Sequence, residues 1–205
     1  MKMLDKPATQ FLTELSSNAP VPGGGGASAA VGAFAAALGM MVTNLTIGKK
    51  KYADYEDDLI ACRSRLENLR DKLVDLVDGD AVAFEPLSKA YSIPKDDPNR
   101  DEIMENALYE ASVVPMSIME TVLDAARELE MLVEKGSKLA VSDVGVGILF
   151  AQAAIEGASL NVYINTKSMQ DRPRADALNA KADAIIAEAA ELKERIYGGV
   201  LAAIK

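Results

Sequence analysis

The chain has 205 residues, with 22 Lys+Arg against 31 Asp+Glu and a formal net charge of −9. It holds no histidine, no tryptophan and a single cysteine, Cys62. These counts exclude Ser-His-Asp and Cys-His catalysis, histidine or multi-cysteine metal sites and an internal disulfide, and the acidic balance argues against general nucleic-acid binding.

If the chain is an enzyme, proton transfer falls to Asp, Glu, Lys, Tyr or water. Hydrophobic residues make up 49% and charged residues 26%, a globular balance. One domain over residues 1–205 is the economical reading. The stretch from Met1 to Phe11 lacks the apolar run of a signal peptide, so a cytoplasmic location is expected.

The first distinct segment runs from Leu15 to Gly48 without one charged residue. Within it, Pro22 and four glycines (23–26) precede a helix expected from about Ala27 to Ile47. Glycine frees the backbone for positive φ and lets a ligand approach the main chain. N–H groups at a helix start favour anions or polar ligand groups. Gly24, Gly25, Gly26 and Ser28 are therefore candidate binding residues, with a hinge or a close helix crossing as the plain alternative. The helix is apolar all round and long enough to cross a bilayer. Its Ala, Gly, Ser and Thr content favours the centre of a soluble bundle.

Lys49, Lys50 and Lys51 follow directly. Cations suit a helix C-terminus. The run is also a positive spot for an anionic substrate, with Tyr52 beside it to stack or hydrogen-bond.

From Leu59 the apolar side runs Leu59, Cys62, Leu66, Leu69, Leu73 and Leu76, in steps of three and four, and resumes at Phe84 and Leu87. This predicts a long amphipathic helix with Cys62 in the core. The stripe lands on Asp80, placing a carboxylate on the inward side. Such a group must be paired, hydrogen-bonded or protonated, which makes it a site candidate. The competing reading is that Gly79 breaks the phase and turns Asp80 outward.

Pro98 opens a further expected helix, with Ile103, Ala107, Leu108 and Ala111 on one side. Pro115 suits the first turn of the next, which buries Ile118, Met119, Val122, Ala126, Leu129 and Val133 and ends at Gly136. From Leu139 to Thr166 only Asp143 and Glu156 are charged. Ser142 reads as an N-cap and Asp143 as the first helical position. Asn161 and Asn165, four apart on one face, could bind the amide-like edge of a heterocycle or cross-link helices. The last helix runs from about Pro173 to the C-terminus on Leu178, Ala182, Ile185, Ala189, Leu192 and Ile196. No strand pattern occurs. The fold class is all-α: a single-domain bundle of long amphipathic helices around small-residue-rich buried ones.

Six segments in order carry a family resemblance. They are Asn-Ala-Pro-Val-Pro-Gly-Gly-Gly-Gly (18–26), Asn-Leu-Thr-Ile-Gly-Lys-Lys-Lys-Tyr (44–52), Asp-Gly-Asp-Ala-Val-Ala-Phe (78–84), Ile-Pro-Lys (93–95), Ser-Asp-Val-Gly-Val (142–146) and Asn-Val-Tyr-Ile-Asn (161–165). The chain resembles the cyclodeaminase/cyclohydrolase family of tetrahydrofolate enzymes over nearly its whole length. That family includes the C-terminal domain of formiminotransferase-cyclodeaminase and free-standing bacterial methenyltetrahydrofolate cyclohydrolases. The segments 161–172 and 194–197 look most like the free-standing branch. Gly26 stands where many fused domains have Ser, and Lys-Gly-Ser-Lys (135–138) where an Asn-containing turn is more usual.

The resemblance implies an all-helical homodimer or higher homo-oligomer with a tetrahydrofolate derivative in a cleft. No cofactor beyond that substrate, no metal, no nucleic acid and no membrane are implied. It implies cyclohydrolase activity, with ammonia-releasing cyclodeaminase as the alternative. A non-catalytic folate-binding or scaffold subunit is the reading from another class. Asp143 and Asp80 are expected to line one cleft with Lys49 as catalytic groups, either carboxylate serving as base. Gly24, Gly25, Gly26, Ser28, Lys50, Tyr52, Ser142, Asn161 and Asn165 are expected to bind substrate.

Overall fold

The computed structural model describes residues 2–205, all of them in helices and connecting turns, with no strand among them. Six α-helices follow one another: α1 Ala8–Leu15, α2 Gly24–Asn44, α3 Glu56–Ala90, α4 Arg100–Lys135, α5 Val141–Thr166 and α6 Arg172–Ile204. Short 3-10 turns at Lys50–Tyr55 and Lys138–Ala140 lead into α3 and α5.

The long helices form two layers. The helices α3, α4 and α6 make one, while α2 lies on α3 and α4, and α5 on α4 and α6. Their ends carry matching charge. Glu56, Asp57 and Asp58 open α3 and Lys89 closes it; Asp101 and Glu102 open α4 and Lys135 closes it. At the head of α6 the Asp171 carboxylate accepts the Arg174 N–H at 3.1 Å, with Pro173 in the first turn.

Small residues set how closely the layers approach. A Cβ on Gly39 would stand 2.8 Å from both Leu66 and Leu129, and one on Gly147 would stand 3.2 Å from Leu129. The helix α2 thus sits among leucines of α3 and α4 with no room for branching. Leu66, Leu73, Leu129, Ile148 and Ile155 are fully buried. Each contributes roughly 2 kcal/mol of apolar burial. Cys62 lies in this core, and burial pushes its thiol up to about 12.

Four expectations change. Residues Arg100–Lys135 form one helix rather than two, with Pro115 in its interior. The glycines 24–26 are the first turn of α2 rather than a loop before it. Among the described residues the only glycine at positive φ is Gly48, at 79°, so 23–26 do not use the left-handed conformation, and of the four it is Gly25 that is glycine for want of space. Ser142 is not a cap: α5 starts at Val141 straight from the 3-10 turn, with Ala140 in the cap position and no side-chain cap. Ser142 and Asp143 are its second and third residues. Gly79 does not break α3, and Asp80 keeps its inward phase.

By length and composition α2 and α5 are each apolar enough to cross a membrane. In the fold each buries one face on the other layer. Their outward faces stay uncovered and apolar, with Phe34, Met41 and Leu45 exposed on α2 and Val146, Leu149, Phe150 and Leu160 on α5.

Candidate active site

Asp80 projects from the middle of α3 onto the first turn of α2. Its Oδ2 accepts the Gly26 N–H at 2.9 Å. Its carboxylate lies where a Cβ on Gly25 would be, so only glycine fits there. Gly26 is less crowded: its Cβ would stand 3.4 Å from the Val77 carbonyl oxygen. Gly25 and Gly26 are therefore a seat for a carboxylate at a helix start. Burial raises the Asp80 pKa above the usual 3.8, and the Gly26 N–H, which favours the ionised form, offsets part of that rise.

A pocket of about 140 Å³ opens beside this seat. It is lined by Pro20, Gly23 and Gly24 at the head of α2, Asp80 and Phe84 of α3, Ala111 and Pro115 of α4, and Asn161 and Asn165 of α5. The helices α2 and α5 run antiparallel, so the head of α2 meets the tail of α5. Asn161 lies over Gly24, 3.7 Å from where its Cβ would stand. The Asn161 amide donates to the Gly157 carbonyl at 3.1 Å, and that of Asn165 to Ala111 at 2.9 Å.

The structure thus brings together Asp80, Gly24, Gly25, Gly26, Asn161 and Asn165. It does not bring Asp143 to them. About 27 Å of α5 separates Asp143 from Asn161. Asp143, Ser142, Lys49, Lys50 and Tyr52 sit at the opposite end of the bundle, where α2 ends and α5 begins. One cleft holding both carboxylates is not present within a single chain.

Two further candidates make hydrogen bonds within the fold. Tyr52 is buried, and its hydroxyl accepts the Lys138 N–H at 3.1 Å, which holds the phenol below its usual pKa. Beside it Thr46 Oγ1 accepts the Ser137 N–H at 2.8 Å. These bonds stitch the α2–α3 turn to the α4–α5 turn. Ser28 is buried, donates to the Gly24 carbonyl at 2.8 Å and packs on Gly157 across the α2–α5 crossing.

Residues 7–184 match the model of the formiminotransferase-cyclodeaminase family. The chain belongs to this family. It is 41% identical over 194 residues to the methenyltetrahydrofolate cyclohydrolase of Methylorubrum extorquens, covering 91% of this chain and 92% of that protein. It is 33% identical over 173 residues to the formimidoyltransferase-cyclodeaminase of Sus scrofa, covering 82% of this chain but only 32% of that longer protein. The fold matches that of formiminotetrahydrofolate cyclodeaminase from Thermotoga maritima over the full length of both chains, with a TM-score of 0.92 and 30% identity.

Sequence reasoning missed Pro20, Phe84, Ala111 and Pro115 as pocket walls. Phe84 carried a signal, being one turn beyond Asp80 on the same stripe. Pro115 did too, as a proline inside an unbroken apolar stripe.

Proposed function

We propose that this chain hydrolyses 5,10-methenyltetrahydrofolate to 10-formyltetrahydrofolate. The observation that carries this is the Asp80 carboxylate seated on the glycine turn of α2. The substrate carries a cationic carbon between two ring nitrogens. Water adds to that carbon and Asp80 takes one of its protons; one carbon–nitrogen bond then opens as the remaining hydroxyl proton is lost to form the formyl C=O and the leaving nitrogen gains a proton. A raised carboxylate pKa suits a base working near neutrality. The N–H groups of Gly24 and Gly25, at the head of α2, would hold the developing oxygen charge.

The uncovered apolar face of α2 and α5 supports a homodimer. A two-fold axis perpendicular to these helices would set the Asp143 end of one copy against the Asp80 end of the other. In such a pair, Lys49 and Lys50 would meet the folate carboxylates and Asp143 would complete the acidic wall. On this reading the protein is cytoplasmic, needs no further cofactor, and acts apart from membranes and nucleic acids.

The 30% identity to a cyclodeaminase favours one second reading, ammonia-releasing closure of formiminotetrahydrofolate in the same pocket. Turnover of the two substrates by purified protein separates them. Loss of methenyl absorbance above the buffer rate supports the first. Ammonia released from the formimino substrate alone supports the second, and binding without turnover would sink both.

A further inference from the structure

Pro115 sits inside α4 and has no N–H to give. The carbonyl of Ala111, one turn earlier, thereby loses its helical donor. Ala111 is buried, so that oxygen needs another partner. Asn165 supplies it from α5, its Nδ2 donating at 2.9 Å. The bond fixes the amide: with the NH₂ group turned to the backbone, Oδ1 is left as an acceptor. No donor among the described residues reaches that oxygen, and Asn165 lines the pocket. Asn161 repeats the arrangement one turn earlier, its NH₂ group on the Gly157 carbonyl.

The pocket therefore has an order. Asp80 lies on Gly25, Asn161 over Gly24, and Asn165 about 6 Å further along α5 beside Ala111. Phe84 supplies an apolar wall.

We infer that Asn165, oriented by Pro115, is the acceptor that reads the exocyclic amine of an aminopyrimidinone ring. The inference rests on the folate reading of the same site. With the reacting carbon at Asp80, the far edge of the fused ring carries adjacent N–H and NH₂ donors. A ring that keeps the N–H but lacks the exocyclic amine leaves the Asn165 Oδ1 without that donor.

The test compares calorimetric binding of pterin and pteridin-4-one, which lacks the 2-amino group. Wild type is expected to prefer pterin by about tenfold. Pro115→Ala restores the helical donor to Ala111, frees the Asn165 amide to turn, and should fold at least as well. In it, and in Asn165→Ala, the preference should drop below about threefold. A wild-type ratio near one, no binding of either ring, or an unchanged ratio in both variants would overturn the assignment. Turnover is measured separately. Discrimination without turnover of any folate would overturn the cyclohydrolase reading and keep Asn165. Turnover without discrimination would do the reverse.

Discussion

The Asp80 carboxylate occupies the space that a side chain at Gly25 would need. The two residues are far apart in sequence, on α3 and α2, yet each fixes the other. Gly25→Ala should push the carboxylate off its seat while leaving the helix able to form. A displacement of about 1 Å at a reacting group costs on the order of a hundredfold in rate. Gly25→Ala is therefore expected to lose about that much kcat on methenyltetrahydrofolate, with a circular dichroism spectrum like that of wild type. Full activity would remove Asp80 from the chemistry.

Asp80 also predicts a pH dependence. Its pKa is raised in the fold, chiefly by burial. As base it must be ionised, so the rate should fall as pH drops through this raised value, above the usual carboxylate range. Stability runs the other way. Between the ordinary and the raised pKa the folded state holds more protons than the unfolded one, so stability declines as pH rises through that window. Asp80→Asn removes the titration. It should lose about 10²-fold or more in kcat, yet melt higher than wild type at neutral pH, the gap closing in acid. A variant that melts lower at every pH would contradict this account.

Much of this was legible beforehand, for a physical reason. Helical period is a local property, and the stripe from Leu59 to Leu87 carried Asp80 inward with it. What the period does not disclose is whether Asp80 and Asp143 meet. Asp80 sits inward on α3 at the head of α2, while Asp143 sits at the head of α5, and because α2 and α5 run antiparallel the two lie at opposite ends. Pro115 was read as a helix start because a proline costs a backbone hydrogen bond. The compensation, Asn165 on the Ala111 carbonyl, comes from 54 residues away and leaves no local trace. A glycine run suggests conformational freedom, whereas the demand at Gly25 is for space beneath a carboxylate.

Tyr52 separates a structural role from a substrate contact. Its hydroxyl receives the Lys138 N–H inside the fold. Tyr52→Phe leaves that N–H without its acceptor and should cost about 1–2 kcal/mol in chemical denaturation. It should leave KM for the folate within about twofold, a change of no more than roughly 0.4 kcal/mol. A tenfold rise in KM at unchanged stability would return Tyr52 to the binding surface.

The apolar face of α2 and α5 gives the last prediction. If a second copy covers it, wild type should sediment at twice the chain mass of 21.8 kDa. Phe34→Glu and Leu149→Glu each put a charge on that face, away from the Asp80 pocket, and should sediment as single chains. The composite reading of the site adds a sharper outcome. Asp80→Asn and Asp143→Asn homodimers should each be inactive. When the two are mixed and allowed to exchange, half of the dimers are hybrids. One of the two sites in a hybrid draws its Asp80 and its Asp143 from the intact copies. About a quarter of wild-type activity should therefore return on mixing. Monomeric wild type would refute the dimer. A dimer whose mixed variants regain nothing would confine the chemistry to the Asp80 end of each chain.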